Sequence, residues 1–574
     1  MKGIIKKYLM LLATASCVAC SLDEDPKSQF SEEEAMKSNT LVYVNTVASI
    51  YSGMGNGLMT NPLGSVFTLE EYSSDATFQP GRQGDWVDGG KWQNIFLHNF
   101  QSSVDVYNTV WNYLYKIIGL CNSSIDKISA IEGADEATKN YVYELRTVRA
   151  IYYYYLMDLY ARVPLVVSSS VSTSDVSQSS RADVFNFVVS ELEECLPHLS
   201  DSKSNEMGQW YGRATKGIAY MALAKCAINA PVYTTDASSK TSYQFLVGAD
   251  KSGEASATDA VAQTVNKMGE SVMITVDGKS RNAWETVIYC VGKLEELGYS
   301  LAPAYLDNFK ASNESSPENI FVQPSDDATY LVPNFLRIYS VHYSHAVAYG
   351  GGAANGFCAT VRQMKKLHYG EADQDPRLAV NYYTGTDYTE DTGGATVGDA
   401  AGGTLEYLPM DAVVDFPAGF DAHIVKCAGA RFKKYPLDKT VSTFAHQNND
   451  VVIWRYGDAL LLKAEAELRS GNASAALTDL NKIRQRAGVE DLSEATYDNL
   501  LDERMRELSW EGCRRQDQIR FGTFTEPTID RYNGVWHNAS ASDWLDDGEG
   551  YTCVFPIPYA ALDLNKKLTQ NPGY

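Results

Sequence analysis

Beyond residue 20 the chain has no Cys-x-x-Cys pair, and none of its 574 residues falls in a His-Glu-x-x-His, Gly-x-Ser-x-Gly or Gly-x-x-x-x-Gly-Lys pattern. The spacings that build thiolate zinc sites, zinc proteases, serine hydrolases and phosphate-binding loops are therefore missing. Positive charge is also short. With 49 Lys+Arg against 72 Asp+Glu the net charge is 49 − 72 = −23, a field that repels phosphate backbones, so nucleic acid is not expected as a partner. Long apolar runs are absent too. The longest, Tyr8 to Ala19, is well below the roughly 20 residues that span a bilayer.

What is present is an ample core. Hydrophobic residues make up 44% and charged residues 21%, a globular composition that excludes a mostly disordered or collagen-like chain. Length alone permits three or four domains at about 150 residues each, or one large helical array. The 37 Tyr and 9 Trp stand out, because flat rings with polar tips suit wet interfaces and sugar faces as well as cores.

The N-terminus reads as an export signal over residues 1–19. Lys2, Lys6 and Lys7 precede the short apolar stretch, and small residues lead up to Cys20. Ser21, Leu22, Asp23, Glu24, Asp25 and Pro26 follow, so the segment looks like a lipobox with acylation at Cys20. Cys17, after Thr14, Ala15 and Ser16, is the alternative acceptor. Several acyl chains would anchor the protein stably to a membrane. The other eight cysteines are widely spaced, which indicates no zinc or iron-sulfur site and leaves an isolated disulfide open.

Helical periodicity dominates the mature chain. Val106, Val110, Leu114, Ile117, Ile118, Cys121 and Ile125 form one apolar stripe over 104–128, and a partner helix over 137–160 stops before Pro164. Ser180 caps a helix to about Cys195, and the alanine-rich stretch 213–230 supplies the next. Near the C-terminus, helices are expected over 452–469, 473–487 and 497–510, with Gly471, Gly488 and Gly512 as stops. Such helix pairs predict a mostly α, tetratricopeptide-like scaffold, mainly 30–232 and 450–522. Residues 233–449 read as a loop-rich insertion with one clear helix, 283–297, and 523–574 as a tail. The charges at 502–507 pair Asp502 with Arg506 on one helix face and read as a structural clamp.

Several segments resemble a known family. Arg455 to Ala466, Asp502 to Glu511 with Gly512, Arg514 and Asp517, Phe555 to Pro558 and the closing Leu568 to Tyr574 are similar, in order, to segments of the SusD/RagB outer-membrane lipoproteins. So are Ala150 to Tyr160 with Val163, Pro164 and Leu165, and Arg213 to Gly217. The resemblance covers nearly the whole mature chain. It implies a tetratricopeptide-like (alpha-alpha superhelix) scaffold in a single unit over 20–574, no catalytic activity and no cofactor. It further implies a glycan ligand, a lipid anchor on the outer face of an outer membrane, and a SusC-like TonB-dependent transporter as partner.

Two segments carry binding chemistry. In Asp75 to His98, indoles, carboxylates and an Arg lie near glycines; sugar C–H faces pack on aromatic rings while hydroxyls pair with fixed charges. The family resemblance singles out Asp75, Arg82 and Trp92, and the residue chemistry adds Trp86 and Asp88. The second segment, 342–357, offers Tyr343, Tyr349, Asn355 and Phe357 beside three glycines that permit close backbone approach. His342 and His345 lack a third metal ligand nearby and read as solvent-facing or hydrogen-bonded. The acidic run Asp543, Asp546, Asp547, Gly548, Glu549 departs from a calcium loop and reads as a turn. Against the glycan-capture reading stand a surface glycoside hydrolase, since 72 acids furnish carboxylate pairs, and a family member whose cargo is a peptide or other nutrient.

Overall fold

The computed structural model describes residues 38–248, 259–333, 335–441, 444, 446–528, 531–532, 535–536, 544–545 and 547–574. The signal segment and Cys20 lie outside them. Among the described residues, no helix is long and apolar enough to cross a membrane.

Among the described residues, ten helices form the array: α1 (Asp105–Ser129), α2 (Glu136–Tyr160), α3 (Arg181–Cys195), α4 (Lys216–Ile228), α5 (Asp259–Ser271), α6 (Ala283–Glu296), α7 (Tyr456–Arg469), α8 (Ala473–Ala487), α9 (Tyr497–Glu507) and α10 (Arg514–Phe521). Caps set several ends. Asp135 accepts the Thr138 amide at 2.7 Å, Ser180 accepts that of Asp183 at 3.1 Å, and Gly488 closes α8 in the left-handed conformation. Each helix lies against its neighbour in the order α1, α2, α3, α4, α6, α7, then α8 and α9. Helix α2 is enclosed on every side along its second half, which is why Tyr152, Tyr153, Tyr154 and Tyr155 are all buried. Three of their hydroxyls are paired: Tyr152 with Tyr113 at 2.7 Å, Tyr153 to the Val166 carbonyl at 2.8 Å, and Tyr154 to Gln516 at 2.9 Å. Helix α4 is small-residue-rich and buried from Gly217 to Ile228, so α6 comes close to it.

Two expectations change. The helix expected over 452–469 begins as a strand: β4 (Val451–Arg455) pairs antiparallel with β2 (Asn319–Gln323), Val452 opposite Val322. The β-branched run Val451, Val452, Ile453 suits a pleated ladder better than a first helical turn. Residues 259–271, expected within the irregular insertion, form α5. Its apolar positions Val261 and Val265 are buried four apart, and Gly269 lies under the Trp284 indole, where a Cβ would stand 2.0 Å from the ring. Helices α5 and α6 thus belong to the array, and the irregular part begins only after α6.

A buried ionic layer locks that irregular part onto α7 to α9. Arg455 bonds Glu507 at 2.6 Å and both oxygens of Glu511 at 2.8 Å, and it also reaches Glu318. Arg377 bonds Glu507 and Glu503 at 2.8 Å each and Asp375 at 2.6 Å, while Lys434 bonds Glu511 at 2.6 Å. Arg486 reaches Glu318 at 2.8 Å and also pairs with Glu507. The charges at 502–507 are therefore a clamp made mainly across elements, with Glu503 and Arg506 also paired along the helix at 3.4 Å. Asp502 pairs with Lys366 at 2.7 Å, and Arg506 turns to the Lys366 carbonyl at 2.7 Å.

All eight described cysteines are free and buried. Burial pushes the thiols of Cys121, Cys195 and Cys553 up to about 12 each, so little thiolate forms at neutral pH. These eight thiols are expected to stay silent to Ellman's reagent in the folded protein and to react on unfolding in denaturant. A fast-reacting thiol from this set would contradict the packing.

Candidate ligand-binding face

The two candidate loops meet because a short ladder joins their roots. Strand β1 (Thr77–Phe78) pairs antiparallel with β3 (Cys358–Ala359), so the chain leaving Phe78 and the chain arriving at Cys358 emerge side by side. Arg82 then ties them together. Its buried guanidinium donates to the carbonyls of Val425 at 2.6 Å, Ala428 at 3.0 Å and Gly356 at 3.3 Å. Burial and the nearby Arg431 pull its pKa down to about 9. Asn355 does similar work, donating to the Lys426 carbonyl at 3.0 Å and accepting from Arg431 at 3.0 Å.

Between Gln83 and Gly90 the backbone is held in an unusual path. Gln83, Gly84, Trp86, Asp88, Gly89 and Gly90 all have positive φ, with Trp86 at 61°. A bulky residue avoids that region unless its surroundings impose it, and such strain concentrates at ligand clamps. The constraints are visible. The Trp86 indole N–H donates to the Ala354 carbonyl at 2.9 Å, its own carbonyl accepts from Gln93 at 3.1 Å, and its ring meets Tyr339 edge-on at 5.9 Å. The half-buried Trp86 is thereby displayed at the seam of the two loops. Around it stand half-buried Tyr343, exposed Asp85 and Asp88, and Lys426, which pairs with Asp85 at 2.9 Å and lies 5.8 Å from the Tyr343 ring centroid. The arrangement offers ring faces beside a fixed carboxylate and ammonium.

Of the nine residues expected at the site, Trp86, Asp88 and Tyr343 reach this face. The other six, Asp75, Arg82, Trp92, Tyr349, Asn355 and Phe357, have buried side chains and sit beneath it. Asp75 is sealed in a two-point ion pair with Arg514 at 2.6 and 2.9 Å; burial opposes its ionisation, and Arg514 outweighs it, so the carboxyl lies below its ordinary value. Trp92 is buried and donates to Asp88 at 2.6 Å, which positions that carboxylate. Phe357 packs among Phe67, Tyr72 and Trp510, and Tyr349 is buried against His345 and Phe444. Arg82 and Asn355 are the braces already described. Asp85 and Lys426 are what sequence reading missed. Asp85 was within the same loop, whereas nothing in its own segment marked Lys426.

The remaining candidates settle as hydrogen-bonded groups. His345 lies between the Tyr407 hydroxyl at 3.1 Å and Asp391 at 3.2 Å, and His342 accepts the Ser344 amide at 3.1 Å. Asp543 and Asp546 lie outside the described residues. Asp547 closes a turn, accepting the amides of Gly550 at 2.7 Å and Thr552 at 2.8 Å and the Thr552 hydroxyl at 2.6 Å.

A superhelix of paired helices whose inserted loops display an aromatic, charged face defines a scaffold-and-loop class of protein. Its family is established by sequence: residues 270–574 match the model of the SusD family, and residues 22–228 match one described as starch-binding associating with outer membrane. The chain belongs to the SusD family. The starch-binding protein SusD of Bacteroides thetaiotaomicron is 25% identical over 460 residues, covering 75% of this chain and 72% of that protein. SusD-like protein P25 of Formosa agariphila is 22% identical and covers 97% of each. Solved structures share the fold. A SusD-like protein from Bacteroides fragilis superposes with TM-score 0.66 at 18% identity, covering 95% of this chain and 99% of its own. Surface glycan-binding protein A from Bacteroides thetaiotaomicron, in complex with laminarihexaose, gives 0.64 at 18%, covering 93% and 99%.

Proposed function

We propose that this protein is a cell-surface glycan-binding lipoprotein and not a hydrolase, holding an oligo- or polysaccharide against Trp86 and Tyr343. Asp85, Asp88 and Lys426 supply polar contacts to sugar hydroxyls. The observation that carries this reading is the strained display of Trp86, with φ of 61° and its indole N–H committed to Ala354, which leaves the ring itself as the binding element. Relatives named as starch-binding or solved with a glucan oligosaccharide support a carbohydrate ligand, and the family description supports outer-membrane association. Anchoring is through acylated Cys20, and the captured glycan passes to a SusC-like TonB-dependent transporter.

The test is a panel of polysaccharides measured by affinity electrophoresis or calorimetry, with reducing ends assayed in parallel. Retention by one glycan class without new reducing ends is expected. Steady release of reducing ends would replace this reading with a glycoside hydrolase, and binding only to peptides would replace the cargo. For the anchor, fatty-acid labelling in cells is expected to disappear in Cys20→Ala, and persistence of the label would move the anchor to Cys17.

A further inference from the structure

Behind the face, three donor atoms from two segments converge. Asp399 sits in the glycine-rich loop, and His423 and Cys427 lie four residues apart on the short helix Ala422–Cys427, hence on one side of it. The Nδ1 of His423 is 2.6 Å from Asp399 Oδ2 and 3.6 Å from Cys427 Sγ. The other Asp399 oxygen accepts the amides of Ala401 and Gly403 at 2.8 Å each, which fixes the carboxylate. Asp399 and Cys427 are buried, while the His423 side chain is 37% exposed and opens the cluster to solvent.

This geometry does not fit a nucleophile triad. There the imidazole takes a proton from its nucleophile on one nitrogen and is oriented through the other. Here both partners address the same Nδ1, which carries at most one proton. Donors that converge on one point suit a shared cation. Zinc bonds of about 2.0–2.1 Å to His and 2.3 Å to Cys in a tetrahedron put the two donors about 3.6 Å apart, the spacing seen between His423 and Cys427. The same arithmetic for His and carboxylate gives about 3.4 Å, so closing around the ion needs Asp399 Oδ2 and His423 to part by less than 1 Å from 2.6 Å.

We propose that Asp399, His423 and Cys427 form a mononuclear site for a borderline divalent cation of the Zn2+ type, with a fourth position reached from solvent past His423. The mixed N, O and S set excludes the all-oxygen preference of Ca2+ and Mg2+. Cysteine spacing alone carries no trace of the site, because two of its donors are not cysteines. Its place in the fold gives it a consequence. The helix 422–427 supplies the Val425 and Lys426 carbonyls that hold Arg82 and Asn355, and it carries Lys426 itself. A bound ion would pin the rear of the candidate ligand-binding face without touching the ligand.

The test titrates the purified, chelator-treated protein with Zn2+ against a competing indicator dye, and with Co2+ followed by absorption. One high-affinity ion per chain is expected, with a thiolate-to-cobalt charge-transfer band and a rise in melting temperature. Cys427→Ser should abolish the charge-transfer band, and both Cys427→Ser and His423→Ala should weaken Zn2+ binding about 10-fold or more. His423 is partly exposed, so His423→Ala decides the matter if Cys427→Ser fails to fold. His368→Ala, in the exposed cluster of His368, Glu371 and Asp373, should leave the ion bound. No uptake, uptake that survives both His423→Ala and Cys427→Ser, or uptake abolished by His368→Ala would each overturn the assignment.

Discussion

Glu507→Ala is expected to lower the unfolding free energy by about 3–5 kcal/mol, the usual cost of removing one partner from a buried charge pair. Glu507 is fully buried and meets three guanidiniums: Arg377 at 2.8 Å, Arg455 at 2.6 Å and Arg486. Burial alone would raise its pKa, but Arg486, Arg455 and Arg377 outweigh burial and hold the carboxyl well below the usual range. Deleting it leaves three cations sharing fewer carboxylates at the junction that locks the irregular loops onto α7, α8 and α9. Urea unfolding monitored by tryptophan fluorescence measures the loss. A change of less than about 1 kcal/mol would mean that the layer tolerates an uncompensated charge, against expectation.

A separate buried ion cluster sets the acid limb of stability. Glu465, held by Arg520 and Arg469 against the effect of burial, is lowered to about 2. A carboxylate with a depressed folded pKa contributes stability that is present above its unfolded value near 4.3 and lost as pH falls through the folded value. Unfolding should therefore become steadily easier from about pH 4 toward pH 2. Glu71 and Asp450 act in the opposite sense, because burial raises each to about 7. Their contribution is present below pH 4 and fades as pH rises through 7, so maximum stability should fall between these limits, in mildly acid solution. A melting-temperature profile that climbs monotonically to pH 8 would contradict this assignment.

The second large effect concerns binding. Trp86→Ala is expected to weaken the glycan complex by about 2 kcal/mol or more, roughly 30-fold in Kd, because a central indole carries a disproportionate share of an interface's energy. Trp86→Gly separates display from adhesion. Glycine adopts the φ of 61° at Trp86 without a Cβ penalty, so this variant should keep stability within about 1 kcal/mol of wild type while binding as poorly as Trp86→Ala. Trp86→Phe keeps a ring but loses the N–H donated to Ala354, and its affinity should fall between those of wild type and Trp86→Ala. Wild-type affinity in Trp86→Gly would place the ligand elsewhere.

Much of the helical scaffold was legible in advance. The stripe expected over 104–128 is α1, Asp105–Ser129, and the segment between Asn472 and Gly488 is α8 with the bounds expected. Both rest on information within a few turns of chain: an apolar repeat, a cap and a stop. The errors share a cause as well. Strand β4 needs β2 from a remote segment, and α5 buries its short apolar face only because Trp284 of α6 arrives to cover Gly269.

The candidate site divides along the same line. Composition marked the loop Asp75 to His98 as rich in rings and charges, but it could not say which of them face water. Trp86 and Trp92 stand six residues apart in similar company, yet one is displayed and the other buried. By itself the sequence determined the family, the order of the helices and the candidate binding segments, because each depends on local residue pattern. Only the tertiary structure decided which of those residues are displayed. Pairing Thr77 with Ala359 brings two distant loops together, Arg82 and Asn355 turn inward to satisfy buried carbonyls, and Trp86 is left outside as a consequence. Burial is a property of what packs above a residue, and that neighbour comes from elsewhere in the chain.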